Sequence, residues 1–451
     1  MVASSLIPLI AAVAAYTLRP SDATAATRDA EQGVVLAQAS TSPKLPPPNT
    51  TNPPKKHPNV VGWPAGRTPT APSGFTVSLY ADRLDHPRWL YVLPNGDVLV
   101  AEANTPVTQK DLQEVSPEEL AQQLAAKTRG ASANRITLLR DANRDGTPEV
   151  ISTFLTGLNR PLGMLLLGDT LYVANTDSLM RYPYRTGQTR ITARGMKILD
   201  LPAGGYNNHW TRNLIASPDK SKIYISVGSA SNVGEHGIAE ENRRANILEI
   251  NPDGSGERIF ASGLRNPVGM GWAPGTKTLY TAVNERDELG DDLVPDYLTS
   301  VREGAFYGWP YSYFGQNEDP RRKGERPDLV AEAVVPDVPL GSHTASLGLA
   351  FYEGKAFPKQ YQGGAFIGQR GSWNRSRPSG YKVAYVPFRN GRPSGPPQDF
   401  LTGFIAEVGA SGTPVVYGRP VGVTTLPDGS LLVADDAADR IWRVTYTGNK
   451  N

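Results

Sequence analysis

One pattern recurs six times along the chain: a Pro or His, a short apolar run, a turn built on Pro, Gly or Asp, then a strand-like run ending near an acid or Asn. The copies are HPRWLYVLPNGDVLVAE (86–102), RPLGMLLLGDTLYVAN (160–175), HWTRNLIASPDKSKIYISVG (209–228), RNPVGMGWAPGTKTLYTAVNE (265–285), HTASLGLAFYEGKAF (343–357) and RPVGVTTLPDGSLLVADD (419–436). A long-period strand–turn–strand repeat cannot bury its apolar faces alone; stacking copies radially buries them. Six copies predict an all-β, six-bladed β-propeller of four-stranded antiparallel blades. Such a ring carries ligands at its central axis.

The length of 451 residues exceeds the usual single domain, but blades pack only on their neighbours. The 45 Gly and 39 Pro suit a turn-rich β protein. A net charge of +2 creates no global field that would favour nucleic acid. The absence of cysteine excludes disulfides, thiolate metal sites and a cysteine nucleophile. Residues 5–18, SLIPLIAAVAAYTL, have the length of a signal h-region rather than a membrane span, and the small-residue sites Ala23-Thr24-Ala25 and Ala37-Gln38-Ala39 follow. No Lys or Arg precedes the apolar run. Residues 1–39 are therefore expected to be a signal peptide or N-terminal anchor, which implies a periplasmic or secreted protein. Pro-rich residues 40–72 read as an extended linker outside the core. The propeller is expected over residues 73–447.

Nearly continuous apolar runs at 97–101 and 430–434 predict strands buried on both faces. Phe75–Tyr80 has no partner of its own, and Arg440–Tyr446 ends the last copy. Their pairing would close the ring and remove a sheet edge. Three insertions break the period: 103–133, 286–342 and 370–380. In the first, Ser116, Pro117 and Glu119 predict the capped start of a short helix. The other two are long enough to carry function.

The most distinctive stretch runs from Asn207 to Pro310. It holds Asn208-His209-Trp210-Thr211-Arg212-Asn213, Ala245–Gly254, Gly263-Leu264-Arg265-Asn266-Pro267-Val268-Gly269, Asn284-Glu285-Arg286-Asp287-Glu288-Leu289-Gly290-Asp291-Asp292 and Tyr307-Gly308-Trp309-Pro310. Gly371-Ser372-Trp373-Asn374-Arg375 and Gly418-Arg419-Pro420-Val421-Gly422 follow. In this order the motifs resemble the soluble quinoprotein sugar dehydrogenases, most closely the sorbosone dehydrogenase-like branch. The resemblance covers about residues 73–447. It implies pyrroloquinoline quinone (PQQ) across the axial opening, a calcium ion against it, and oxidation of a sugar hydroxyl or hydrated aldehyde. Electrons would pass to an external acceptor such as a cytochrome or quinone. Membrane contact is expected only through an N-terminal anchor.

Within that resemblance each residue type fits its chemistry. The hydroxyl proton needs a base, and His209 aligns with the family's catalytic histidine. His86 and His343 open repeats in the same way, so repeat grammar alone also places histidines there, and His57 lies in the linker. A planar tricarboxylate needs fixed cationic donors. Arg265 with Asn266 matches the family's quinone-contacting pair, and Arg265 would stabilise charge on the quinone oxygens. Arg212, Arg375 and Arg419 are further carboxylate partners, and Trp373 or Trp210 could stack on cofactor or sugar. Asn284, Glu285 and Asp287 occupy the family's calcium-loop position, where main-chain carbonyls hold much of the ion. Asp141, Asn143 and Asp145 form a separate DxNxDG loop that suits a structural calcium; Ser152 stands where the full pattern requires Glu, and Glu149 could substitute. Arg370 replaces a His that often precedes GSWNR, and Asn208 replaces an acid before the base. Two other readings suit the same fold: a calcium-dependent lactonase or other hydrolase, and a non-catalytic carbohydrate- or protein-binding propeller. No P-loop, GxSxG elbow or dinucleotide turn accompanies a βαβ pattern.

Overall fold

The computed structural model describes residues 44–51 and 55–448. The leader expected at 1–39 lies outside them. Among the described residues, six four-stranded antiparallel sheets carry the fold. In chain order their first strands are Pro87–Val92, Met164–Leu167, Arg212–Ala216, Pro267–Trp272, Ser346–Phe351 and Pro420–Thr425. Each of these lies in one of the six repeat copies. In five copies the second strand follows within the copy; in the fifth it comes later, at Ala365–Gln369. The expected terminal pairing is present: Phe75–Ala81 lies antiparallel to Arg440–Tyr446 in the sixth sheet. This is β-propeller architecture.

The second strands, such as Val98–Glu102, Ile223–Val227 and Leu431–Asp435, are buried along their whole length. They lie inside the sheets with neighbouring sheets against both faces, so alternation gives way to continuous apolar sequence. Apolar clusters fill the spaces between sequential sheets. Leu99, Ile136, Met164 and Leu171 join the first and second. Leu165, Tyr172, Ile225 and Leu248 join the second and third. Ile247, Met270 and Leu279 join the third and fourth, and Leu298, Leu349 and Ile367 the fourth and fifth. Phe366, Val423 and Trp442 join the fifth and sixth, and Leu90, Val100, Leu432 and Ile441 the sixth and first.

A glycine in the first strand lets neighbouring first strands approach. A Cβ on Gly348 would stand 2.1 Å from the Val421 carbonyl oxygen, and one on Gly422 2.8 Å from that of Arg88. Backbone leaves no side-chain rotation to relieve such a clash. The first-strand glycine of these copies is thus a packing requirement.

The helix expected after Ser116 spans Pro117–Ala125, with the Ser116 side chain accepting from the Glu119 N–H at 3.2 Å. A second short helix, Gln109–Glu114, lies outside that expectation; Thr108 and Asp111 cap it reciprocally. The linker reading requires correction from residue 55 onward. Asn59–Val60 pairs parallel to Pro414–Val416. Trp63 is buried among Phe404, Tyr417 and Trp442 and donates from Nε1 to Asp435 Oδ2 at 2.8 Å. Proline content signalled an extended backbone, but extended backbone also docks as a strap when it carries a large aromatic anchor.

Candidate active site

In each sheet the start of the first strand lies beside the end of the second, as in Pro87 opposite Glu102 and Pro420 opposite Asp435. We call this edge the upper rim. Residues on the upper rims of different sheets touch one another: His86 and Asp436, Asp287 and His343, Arg88 and Trp210. Two polar clusters result.

The first gathers residues from the third, fourth and fifth sheets. His209 Nδ1 lies 2.9 Å from the Ser229 carbonyl and 3.0 Å from Ser229 Oγ. The carbonyl only accepts, and Ser229 Oγ spends its proton on the Ser231 carbonyl at 2.6 Å. Nδ1 must therefore carry the proton, which leaves the lone pair on Nε2. Burial, then the positive charge of Arg265, lower the His209 pKa to about 3, so the ring is neutral at physiological pH. Gly228 makes this geometry possible: a Cβ there would stand 2.4 Å from Asn266 Oδ1 and 2.6 Å from His209 Cβ. Asn266 Oδ1 is buried without a partner.

Arg265, 1% exposed, organises the cluster. It donates to the Asn232 carbonyl at 3.1 Å and the Glu285 carbonyl at 2.6 Å, and to Asn232 Oδ1 at 2.9 Å and Asp287 Oδ2 at 3.1 Å. All three guanidinium nitrogens are committed, so Arg265 acts here as a fixed charge and a scaffold. Asp287 Oδ1 accepts from Asn374 Nδ2 at 2.7 Å and faces His343 Nδ1 at 3.4 Å. Burial would raise the Asp287 pKa, but Arg265 and His343 hold it well below the usual carboxylate range. Burial would lower His343, yet Asp287 leaves it raised.

The second cluster joins the fifth, sixth and first sheets around one buried carboxylate. Asp436 accepts from Arg88 at 2.5 Å, Arg370 at 2.6 Å and Arg419 at 2.8 Å, with His86 Nε2 3.4 Å away. Three guanidinium groups against one carboxylate leave a buried surplus of positive charge. Burial, with Arg370 beside it, lowers even Arg88, to about 10. Arg88 Nε has no partner. Trp210 bridges towards this cluster, with Arg88 and Arg160 over its ring at 5.6 and 5.7 Å. His86 and His343 both hold positive φ, 55° and 59°, which His209 does not. The repeat-opening histidines are therefore not equivalent.

The structure brings His209, Arg265, Asn266 and Asp287 together and sets Arg419 in the second cluster. It separates others. Arg212 is buried, donating to the carbonyls of His209, Thr211 and Pro202, so it ties down a loop. Arg375 donates to the Asp291 carbonyl and to Asp292 Oδ1. Trp373 has one face covered by His57, with ring centroids 5.3 Å apart. Loop 284–292, expected to hold calcium, is tied down by its own hydrogen bonds. The carbonyls of Asn284, Glu285, Asp287, Leu289, Gly290, Asp291 and Asp292 already accept hydrogen bonds. Glu285 pairs with buried Arg286 at 2.9 Å and Asp287 with Arg265 at 3.1 Å. Asp141, Asp145 and Glu149 do approach one another within 4.8 Å. That loop joins Arg135–Arg140 to Val150–Leu155, at the edge opposite the upper rim. Its carboxylates, with Asn143, accept from the backbone N–H groups of residues 142, 145 and 146. Sequence reasoning missed Arg88, Asn232 and Asp436, which hold the clusters together; Arg88 and Asp436 lie within repeat copies, but nothing in the copies marks them out.

Fold and site define a β-propeller whose upper rim combines a neutral histidine with surplus buried guanidinium charge. A family model described as TrAA12-like matches residues 69–297 and 318–447, and the chain belongs to this TrAA12-like family. The chain is similar to the PQQ domain of pyranose dehydrogenase from Coprinopsis cinerea in its holo form: TM-score 0.64, 20% identity, 86% of this chain and 99% of that one. It is similar to the calcium structure of a Trichoderma reesei carbohydrate-active enzyme of family AA12: TM-score 0.65, 18% identity, 88% of this chain and 100% of that one. At such identity the likeness concerns the fold. Aldose sugar dehydrogenase YliI of Escherichia coli is 33% identical over 123 residues, 26% of this chain and 30% of that protein.

Proposed function

We propose that this chain is a PQQ-dependent sugar dehydrogenase, an oxidoreductase acting on a sugar CH–OH group. In this reading the six sheets are six blades of a closed ring and the upper rims surround the axial site. The observation that carries it is the pairing of a neutral His209, its Nε2 lone pair free of the Ser229 contact, with three guanidinium groups sharing the single carboxylate of Asp436. A tricarboxylate fits that surplus charge. Arg88 and Arg370 would hold it, with Asn266 as a neutral contact, while Arg419, whose other nitrogens donate to the Ala126 and Lys127 carbonyls, fixes Asp436. When bound, the quinone supplies the hydride acceptor.

The chain's own residues handle the proton. His209 Nε2 accepts the proton of the sugar hydroxyl, while the Ser229 carbonyl fixes the ring through Nδ1–H and stabilises the imidazolium that forms. A pKa of about 3 makes the unliganded histidine a weak base. Carboxylates brought beside it counter the field of Arg265 and raise it. Arg265 keeps its charge in place without reorganising, because Asp287 and Asn232 hold one end of its fork and the Glu285 carbonyl the other. An exported location and an external electron acceptor complete the reading. Among the described residues, no helix is long and apolar enough to cross a membrane. The hydrolase alternative needs a cage of side-chain carboxylates, but Asp287 and Asp436 are both engaged by arginine.

The test is a spectrophotometric titration of the purified chain with PQQ, with and without calcium, followed by an aldose panel and an artificial electron acceptor. Saturable uptake and turnover that His209→Ala abolishes without weakening uptake are expected. Calcium binding with no quinone uptake would overturn the reading.

A further inference from the structure

The tautomer of His209 depends on where Ser229 sends its hydroxyl proton. Ser229 Oγ has two acceptors in reach, the Ser231 carbonyl at 2.6 Å and His209 Nδ1 at 3.0 Å. Donation to the Ser231 carbonyl leaves Nδ1 to carry its own proton, and Nε2 keeps its lone pair. Donation to Nδ1 would move the ring proton to Nε2, where the lone pair is needed. The position of Ser231 therefore decides which ring nitrogen is basic.

Ser231 is held by a side chain that the mechanism above does not use. Glu241 Oε1 accepts from the Ser231 N–H at 3.0 Å and from Ser231 Oγ at 2.5 Å, and Oε2 accepts from the Ala230 N–H at 2.7 Å. Ser231 Oγ accepts in turn from the Gly234 N–H at 2.9 Å, so its own proton goes to the carboxylate. The Ala230 carbonyl accepts from the Asn208 N–H at 2.8 Å, which ties the backbone before His209 to the same loop. Ser229, Ala230 and Ser231 are fully buried. Glu241 ends the short helical turn Ile238–Glu241, between the second and third strands of the third sheet, and is itself buried. Arg244, whose field reaches it, donates to Asn207 and the Gly204 carbonyl instead. Burying a carboxylate without a bonded cation is costly. Only an ionised carboxylate accepts from all three donors at once; a glutamine would turn an N–H towards one of them.

Resting on the dehydrogenase reading, we propose that Glu241 is a positioning residue: acting through Ser231 and Ser229, it fixes the Nδ1–H form of His209 and keeps Nε2 available for the proton of the sugar hydroxyl. It touches neither the ring nor the substrate site.

The experiment compares wild type, Glu241→Gln, Glu241→Asp, Ser229→Ala and the double variant in the full chain, with Glu240→Gln, exposed on the same turn, as control. Nitrogen NMR of isotope-labelled histidine rings, before loading with PQQ, reads the tautomer; the signal lost in His209→Asn identifies the ring. Reconstituted turnover and PQQ titration read kcat, KM and quinone affinity. Wild type and Glu240→Gln should show the Nδ1–H form, and Glu241→Gln a population of the Nε2–H form. In Glu241→Gln kcat should fall about 10- to 100-fold, with KM and quinone affinity within about twofold of wild type. Ser229→Ala has no hydroxyl to redirect, so adding Glu241→Gln to it should cost less than about threefold. Glu241→Asp keeps the charge but withdraws it by one methylene; an intermediate loss is expected, and it carries the test if Glu241→Gln does not fold. Two results overturn the inference while leaving the dehydrogenase reading standing: a pure Nδ1–H form in the Glu241 variants, or an equal kcat loss with and without the Ser229 hydroxyl, which would make Glu241 a loop stabiliser only. A wild type that takes up no quinone overturns the dehydrogenase reading and the inference with it.

Discussion

Gly228→Ala tests whether the spacing of His209 and Asn266 is what the site depends on. Gly228 is not at positive φ, so the change introduces no backbone strain, only volume. The new Cβ would stand 2.4 Å from Asn266 Oδ1 and 2.6 Å from His209 Cβ. Carbon contacts are comfortable only at about 3.5 Å, so the two side chains or the strand must give by about 1 Å. Ser229 follows Gly228 directly and fixes the His209 tautomer, so relief along the strand also moves that contact. Overpacking of this kind costs about 1–3 kcal/mol, and a misplacement of about 1 Å costs on the order of 100-fold in rate. The expected result is a folded protein with its melting point lowered by a few degrees and kcat for sugar oxidation down about 100-fold, the loss that such a displacement implies. Gly204→Ala is the control, because a Cβ there meets nothing within 4 Å. The assays are reconstituted turnover and a thermal melt on each variant. If Gly228→Ala turned over sugar as fast as Gly204→Ala, the close approach would be incidental and the argument would fail.

Asp436→Asn leaves the buried Arg88 and Arg419 and the partly exposed Arg370 without their shared counter-charge and should cost about 3–5 kcal/mol in urea denaturation; an unchanged midpoint would show that the charges are neutralised elsewhere. Stability should fall on acidification below pH 6.5. His209 and His86 are neutral in the fold with lowered pKa values, so the unfolded chain binds more protons as pH drops from 6.5, for His209 down to about 3. His343 acts oppositely: its raised pKa contributes stability present below 6.5 and lost as pH rises through its folded value. Urea midpoints at several pH values should show the acid fall flattened in His209→Asn, and an identical slope in that variant would refute the assignment.

The upper-rim clusters differ in how far the chain itself announced them. His209, Arg265 and Asn266 stand at the starts of repeat copies, and a repeat that specifies strand pairing also specifies which residues reach the rim. The helix after Ser116 and the pairing of Phe75–Ala81 with Arg440–Tyr446 were legible for the same reason: capping and edge-pairing are local or end-to-end rules. Asp436 was not legible, because its partners lie at positions 88, 370 and 419 and only folding makes them neighbours. The residues proposed for PQQ were chosen by charge type, which cannot distinguish an arginine facing a site from one bonded to carbonyls. Arg212, Arg375 and, through two of its nitrogens, Arg419 are of the second kind.

The order of amino acids is enough to dictate the unit of the fold, because apolar strand–turn–strand periodicity is written into each copy and a close-packing first-strand glycine into several. It also places a histidine and an arginine at successive copy starts. Assembly of the sheets settles the rest: which charges meet, which carbonyls are already engaged in the 284–292 loop, and that the strap returns to stack His57 on Trp373. These outcomes depend on distances between segments hundreds of residues apart. Hydrogen bonding and charge pairing act over a few ångströms, so the residues they join carry no signal of each other until the sheets have assembled.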